Sequence, residues 1–264
     1  MSSPLIIEVD GPVLRATMNR PERLNALDPA LVEALRELFS SLHWRRDVRV
    51  VVLAGAGRAV CSGLDLKLDR KPASERGLTD VLVGQRRISE IVIAMRRCPQ
   101  PIVALVDGPA SGGGFALALA SDIRIATPRT KMNAAFIRIG LSACDIGVSY
   151  FLPRMVGSAI AAEYLLTGRF IDAETALALR LVSKLVDPQE IAAAGDEIVA
   201  DMLRATPLGL RLTKDALNLA IDAGSLEAVV AMEDRNQTLC SRDPDFAEGL
   251  ASFLEKRSPV YRGL

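Results

Sequence analysis

The stretch Pro101 to Ala126, PIVALVDGPASGGGFALALASDIRIA, constrains this chain more than any other. An apolar, β-branched run from Ile102 to Val106 meets a turn holding Gly108, Gly112, Gly113 and Gly114. A small-residue apolar helix pattern, Phe115 to Ala120, follows before a second strand-like run at Asp122 to Ala126. The result is a strand, a turn and a helix with a corner stripped of side chains. Glycine permits positive φ and leaves the first N–H groups of the helix unobstructed, so such a corner can face a negative oxygen. It lacks the Lys and Ser/Thr of a phosphate loop and does not fit the G-x-G-x-x-G dinucleotide spacing. The same glycines also read as devices for packing helix closely against strand, and the sequence alone leaves both readings open.

With 264 residues, 50% of them apolar, the chain can bury a sizeable core as one large domain or a domain with an appendage. Lys plus Arg and Asp plus Glu both number 32, which gives no electrostatic case for nucleic acid or a membrane surface as partner. The start, MSSPLIIEVDG, has neither a basic region nor a long apolar one, so a soluble, cytoplasmic protein is expected. Cys61, Cys98, Cys144 and Cys240 are scattered without C-x-x-C spacing, and they read as buried or incidental thiols rather than metal ligands or a disulfide framework. His43 is the single histidine, which makes a Ser-His-Asp or Cys-His engine a poor fit. Chemistry has to run on carboxylates, backbone dipoles or the substrate itself.

Leu5 to Val9 and Val13 to Met18 flank Asp10-Gly11-Pro12 and predict an antiparallel hairpin. Asp28 and Pro29 predict a capped helix start, with Leu31, Leu35, Leu38 and Leu42 on one stripe. Val48 to Leu53 reads as a buried strand. It leads through Gly55 and Gly57 into Cys61 to Lys67, CSGLDLK, a second glycine corner before a helix start. Lys67 to Thr79 is polar and reads as an exposed, mobile loop. A helix over Leu82 to Met95, stopped by Pro99, leads into the opening strand, so strand, glycine corner and helix occur twice. Lys131 to Gly157 is irregular and then helical. Helices at Ala159 to Leu166 and Asp172 to Ala178 and a short strand at Leu181 to Val186 come next. From Glu190 onward the pattern is all helical, which places the start of a helical appendage near residue 195. That appendage can cover its own chain or a partner subunit.

NRPERLNAL (Asn19 to Leu27), VCSGLDLK (Val60 to Lys67), VDGPASGGGFALALASDIRIA (Val106 to Ala126), LPRMVG (Leu152 to Gly157) and AEGLASFLEKRSPVYRGL (Ala247 to Leu264) resemble, in order and spacing, the enoyl-CoA hydratase/isomerase (crotonase) superfamily. The resemblance covers nearly the whole chain. It implies an α/β fold, a spiral of ββα units over residues 1–195, with a C-terminal helical trimerisation region over 196–264, assembled as a homotrimer or a dimer of trimers. It implies an acyl-CoA or enoyl-CoA thioester as substrate, with coenzyme A as part of that substrate and no prosthetic group. The family's oxyanion-hole N–H groups fall at Leu64 and Gly113, in agreement with the two bare corners. Coenzyme A would lie along Arg23, Leu24, Ser62, Asp65 and Leu66. Phe253 and Lys256 match terminal-helix positions that meet the nucleotide end, sometimes across a subunit boundary. For Arg23 and Lys256 a plain solvated charge is the competing reading.

The chain departs from the hydratase pattern at both glutamates. The first position is Ala116, and aligning Gly140 with the family's later glycine puts Ala135 and Phe136 where Pro-Glu would stand. Asp145 is the acid that remains. GLSACDIG (Gly140 to Gly147) resembles a stretch of the dienoyl-CoA isomerase branch in which an aspartate enters the pocket. Asp145 also reads as a helix N-cap before Ile146-Gly147. Isomerisation is therefore expected over hydration. A non-catalytic acyl-CoA binding or carrier protein, or a hydratase using an acid from elsewhere in the chain, are the alternatives.

Overall fold

The computed structural model describes residues 3–68, 75 and 77–263. Strands β1 (Leu5–Asp10) and β2 (Val13–Met18) form the expected hairpin, turning at Gly11 with φ of 52°. Helix α1 (Pro29–Ser41) begins where Asp28 accepts the Leu31 N–H at 2.8 Å, and Pro29 occupies a first-turn position that needs no N–H partner. Its leucine stripe, continued by Leu42, is buried throughout.

Strand β3 (Val50–Gly55) is apolar without alternation because both faces of the sheet are covered. It pairs in parallel with β2 and with β4 (Ile102–Val106). Helix α2 (Leu78–Arg97) joins β3 to β4, and the short strand β5 (Pro109–Ser111) follows β4. Helix α3 (Gly113–Ala120), wholly buried, then leads into β6 (Ile123–Ala126). The rest runs through β7 (Lys131–Asn133), α4 (Val148–Val156), α5 (Ser158–Thr167), β8 (Ile171–Asp172), α6 (Ala173–Ala178) and β9 (Lys184–Leu185). Helices α7 (Ile191–Leu203), α8 (Pro207–Ala220), α9 (Leu226–Arg242) and α10 (Pro244–Glu255) complete it. The main sheet has the order β1-β2-β3-β4-β6-β9, and β5-β7-β8 form a second, smaller sheet.

One face of the main sheet packs Leu14, Val51, Leu53, Ile102 and Val106 against α1, α2 and α3. The other face packs Val50, Val52, Val103, Leu105 and Ile125 against Ile191 and Val199 of α7. The division expected at residue 195 falls inside α7, where Gly195 lies so close to the sheet that a Cβ would stand 2.9 Å from Leu105 Cδ2. This helix packs on the sheet, and Leu210 of α8 packs against the same cluster.

Two local expectations change. Isolated bridges tie Leu64 to Leu27 and Cys61 to Ala110, and the helix expected from Leu82 begins earlier, at Leu78. The loop expected at Lys67 to Thr79 falls largely on residues 69–74 and 76, which lie outside the described residues. Among the described residues, no helix is long and apolar enough to cross a membrane.

Helix α8 is fastened by a buried lysine. Lys214, 3% exposed, donates to Gln100 O at 2.8 Å and Met95 O at 3.0 Å, and its Nζ lies 3.0 Å from Asp122 Oδ2.

Candidate active site

The two glycine corners are joined backbone to backbone. Val60 N–H donates to Pro109 O at 3.0 Å and Ser111 N–H to Cys61 O at 2.9 Å, so the segment after β3 runs alongside β5. Gly112 takes φ 52° and ψ −116°, a conformation open to glycine, and Gly63 takes φ 91°. A Cβ on Gly63 would lie 2.9 Å from Ser111 O and 3.4 Å from Gly113 N. A Cβ on Gly114 would lie 2.1 Å from Cys61 O. The packing reading of the triple glycine holds: Gly112 makes the turn, Gly114 permits the close approach, and Gly113 is buried beneath Leu27, whose Cδ1 would lie 2.6 Å from a Cβ there. Among the described residues, neither Leu64 nor Gly113 donates its N–H to a protein acceptor.

The first corner is braced from behind. Asn25, fully buried with φ of 54°, donates to Ala56 O at 2.9 Å and Ala59 O at 2.8 Å, and its Oδ1 accepts the Arg20 N–H at 2.7 Å. Leu27 N–H donates to Gly63 O at 2.7 Å, and Asp65 N–H donates back to Leu27 O at 3.0 Å.

In front of both corners lies a cavity of about 110 Å³. Leu64, Gly113, Asp145, Ser62 and Leu66 of the expected residues line it, as does Phe136. Asp145 is the one ionisable side chain among the described residues of its wall. Its Oδ1 accepts from Gln85 Nε2 at 2.6 Å and from the Ile146 N–H at 2.8 Å. Burial pushes its carboxyl above the ordinary aspartate range, against the downward pull of these two donors. The N-cap reading of Asp145 is not what forms. Gly147, with φ of 89°, caps α4, and no side chain bonds its first turn. The carboxylate therefore remains at the cavity.

Ala116 is fully buried inside α3 and is not part of the cavity wall, whereas Phe136 is. The Phe136 ring fills the space beside the turn, its Cε1 3.4 Å from where a Cβ on Gly112 would stand. Cys61, at the same corner, is held as a thiol, since burial pushes its pKa up to about 12.

The remaining expected residues are placed differently. Arg23 ends a 3-10 turn, and Leu24 follows it with φ of 53°, its carbonyl accepting the Ser62 N–H at 3.0 Å. Asp65 is buried with its carboxylate occupied, 3.0 Å from Arg20 Nη2 and 3.1 Å from the Lys67 N–H. Burial opposes its ionisation, yet Arg20 and the Lys67 N–H hold its pKa below the usual value. Phe253 and Lys256 line a separate depression with Arg204, Arg257 and Tyr261, and the chain does not bring them to the Asp145 cavity.

Sequence reasoning missed Gln85, Ile88, Ile139 and Leu141, which complete the wall. Only the helical periodicity of α2 could have flagged Ile88, and nothing local marks Gln85 as the partner of an aspartate 60 residues on.

Arranged this way, the cavity has a mainly apolar wall with one carboxylate at its edge and brings together Leu64 and Gly113, whose N–H groups have no protein acceptor among the described residues. Residues 8–263 match the enoyl-CoA hydratase/isomerase family model. The chain is 40% identical over 248 residues to the "Probable enoyl-CoA hydratase echA12" of Mycobacterium leprae, covering 92% of this chain and 84% of that protein. It is 33% identical to the 1,2-epoxyphenylacetyl-CoA isomerase of Escherichia coli, covering 98% of both. A crystal structure of a "probable enoyl-CoA hydratase/isomerase" from Mycobacterium abscessus superposes with a TM-score of 0.90 at 32% identity, covering 98% of this chain and 99% of that one. On its fold, its paired glycine corners and these likenesses, the chain belongs to the enoyl-CoA hydratase/isomerase family and has the crotonase fold.

Proposed function

We propose that the protein is an enoyl-CoA isomerase that moves a double bond along an acyl-CoA thioester, with Asp145 as its single proton carrier. The observation that carries this reading is the meeting of Leu64, Gly113 and Asp145 at one cavity whose described wall holds no other ionisable side chain. The ionised Asp145 carboxylate removes a proton from the α-carbon of a 3-enoyl thioester. The released electron pair moves onto the thioester oxygen, which accepts hydrogen bonds from the Leu64 and Gly113 N–H groups. The carboxyl then returns the proton to the γ-carbon, and the 2-enoyl product forms with no net gain or loss of atoms. Each backbone donor is worth about 3 to 4 kcal/mol in such a transition state. Water need not enter the reaction, which suits a site with Ala116 and Phe136 in place of two glutamates.

The coenzyme A portion runs past Ser62 and Leu66 at the cavity and Arg23 and Leu24 beside it. Exposed apolar side chains on the last helices, Leu217, Phe246, Leu250 and Leu254 among them, support a homotrimer. The raised Asp145 pKa helps the first half of the reaction, because a carboxylate that holds its proton more tightly is the stronger base.

Purified protein should convert a 3-enoyl-CoA to its 2-enoyl isomer, and Asp145→Asn should lower kcat about 100- to 10,000-fold. That variant should melt no lower than the original protein, since ionised Asp145 is disfavoured by burial in the folded state and the amide removes that cost. A fully active Asp145→Asn refutes the assignment. Tight acyl-CoA binding with no turnover would instead favour a carrier, a second reading that rests on the Phe136 ring packed beside the turn.

A further inference from the structure

A second cavity lies beyond the first. Its volume is about 430 Å³, and Val92, Ile93 and Phe151 give it a mainly apolar wall. The two cavities share one residue, Ile146. They also share a side of α2. Gln85 and Ile88 face the first, and Ser89, Val92 and Ile93, up to a turn or so further on, face the second. Positions three and four apart stay on one helix face, so a single helix runs under both.

Ile146 stands between them. Its Cδ1 lies 3.7 Å from the place a Cβ on Gly113 would take, so its side chain reaches the proposed thioester site. Its backbone is clamped at the next residue, where a Cβ on Gly147 would lie 2.9 Å from Phe151 Cε2 and 3.4 Å from Val92 Cγ1. Its φ of 37° is a left-handed conformation that a β-branched residue rarely adopts, and only firm surrounding packing holds such a residue in place. A stiff, buried, apolar side chain held in an unfavourable backbone makes a fixed wall rather than a yielding one.

We infer that Ile146 is the residue that sets acyl-chain length. It confines the acyl group to the small cavity, which makes short, apolar acyl-CoA thioesters the substrate class. The larger cavity is a continuation of the same site, closed to the substrate by this one side chain. Its wall also holds Arg96, Asn218 and Tyr150, whose hydroxyl donates to Asp222. The inference rests on the acyl-CoA reading of the first cavity, but not on Asp145 chemistry.

The test is calorimetric binding of saturated, unreactive acyl-CoA thioesters, from butanoyl to dodecanoyl, to the full chain and to Ile146→Ala. For the unaltered protein, affinity should level off once the chain reaches Ile146. For Ile146→Ala it should go on rising, about fourfold for each added methylene, the equivalent of about 0.8 kcal/mol. Adding Ile93→Trp, which narrows the second cavity, should flatten the profile back toward its original form. If Ile146→Ala does not fold, Ile146→Val should move the plateau in the same direction by a smaller step. The inference is overturned if the unaltered protein already gains affinity through the whole series, or if the foldable Ile146 variant leaves the plateau where it was. Binding with an unmoved plateau removes the role of Ile146 alone, whereas no binding at any length removes the acyl-CoA reading beneath it.

Discussion

Gly114→Ala sets two effects of opposite sign against each other. Gly114 lies within α3 at an ordinary φ, so alanine would gain about 1 kcal/mol of helix propensity. Against this, the added Cβ would stand 2.1 Å from Cys61 O, and 2.8 Å from both Cys61 C and Cβ, where ordinary contact begins at 3.4 Å. Two of these three are backbone atoms, and Cys61 O is itself fixed by the Ser111 N–H, so no side chain can swing aside. Overpacking in a tight core costs about 1 to 3 kcal/mol, and a backbone clash belongs at the upper end. A net loss of about 2 kcal/mol remains after the propensity gain, which in a chain of this size lowers Tm by about 4 to 8 °C. The corners must also part by about 1 Å, and such a misplacement costs a preorganised site about 100-fold in rate. The loss should fall on kcat with KM little changed, because the donors act on charge that develops in the transition state. Thermal melting by circular dichroism and the isomerase assay measure the two effects separately. Gly84→Ala is the control. It lies in α2 with no atom within 4 Å of its Cβ position, and it should stabilise by about 0.5 to 1 kcal/mol without touching the rate. If Gly114→Ala melts at the original temperature, the close approach of the corners is refuted. If it melts lower yet keeps full kcat, the assignment of the Gly113 N–H is refuted.

Gln85→Ala removes a donor that lowers the Asp145 pKa while leaving the burial that raises it, so the pKa should climb further. The active base is the ionised form, so the acid limb of kcat/KM already sits above the ordinary aspartate range and should move to higher pH in the variant. An unmoved limb would show that Gln85 does not set the ionisation of Asp145. Lys214→Ala strips a buried amine from Met95 O, Gln100 O and Asp122, and because Asp122 keeps Arg96 and the Ile102 N–H it should cost about 1 to 3 kcal/mol in a urea titration. A loss under about 1 kcal/mol would place that contact among ordinary surface pairs.

What could be read from the sequence had local causes. The hairpin follows from Asp10-Gly11-Pro12, the start of α1 from Asp28-Pro29, and the bare turn from three consecutive glycines, each a preference written in neighbouring residues. The pairing of the corners needed the family resemblance, because no local pattern says that Cys61 and Ser111 touch. Gln85 was invisible, since a glutamine on an otherwise solvent-facing helix turn becomes a partner of Asp145 only through tertiary placement. The boundary expected near residue 195 rested on periodicity, which does not say that Ile191 and Val199 of α7 pack on the sheet.

The proposed donors at Leu64 and Gly113 belong to the main chain, so no exchange of one ordinary side chain for another can delete them. Only proline removes an N–H. The proposed acid, Asp145, is a side chain and can be lost by a single codon change. A framework divided in this way can change the proton chemistry it performs while its grip on the carbonyl is inherited unaltered.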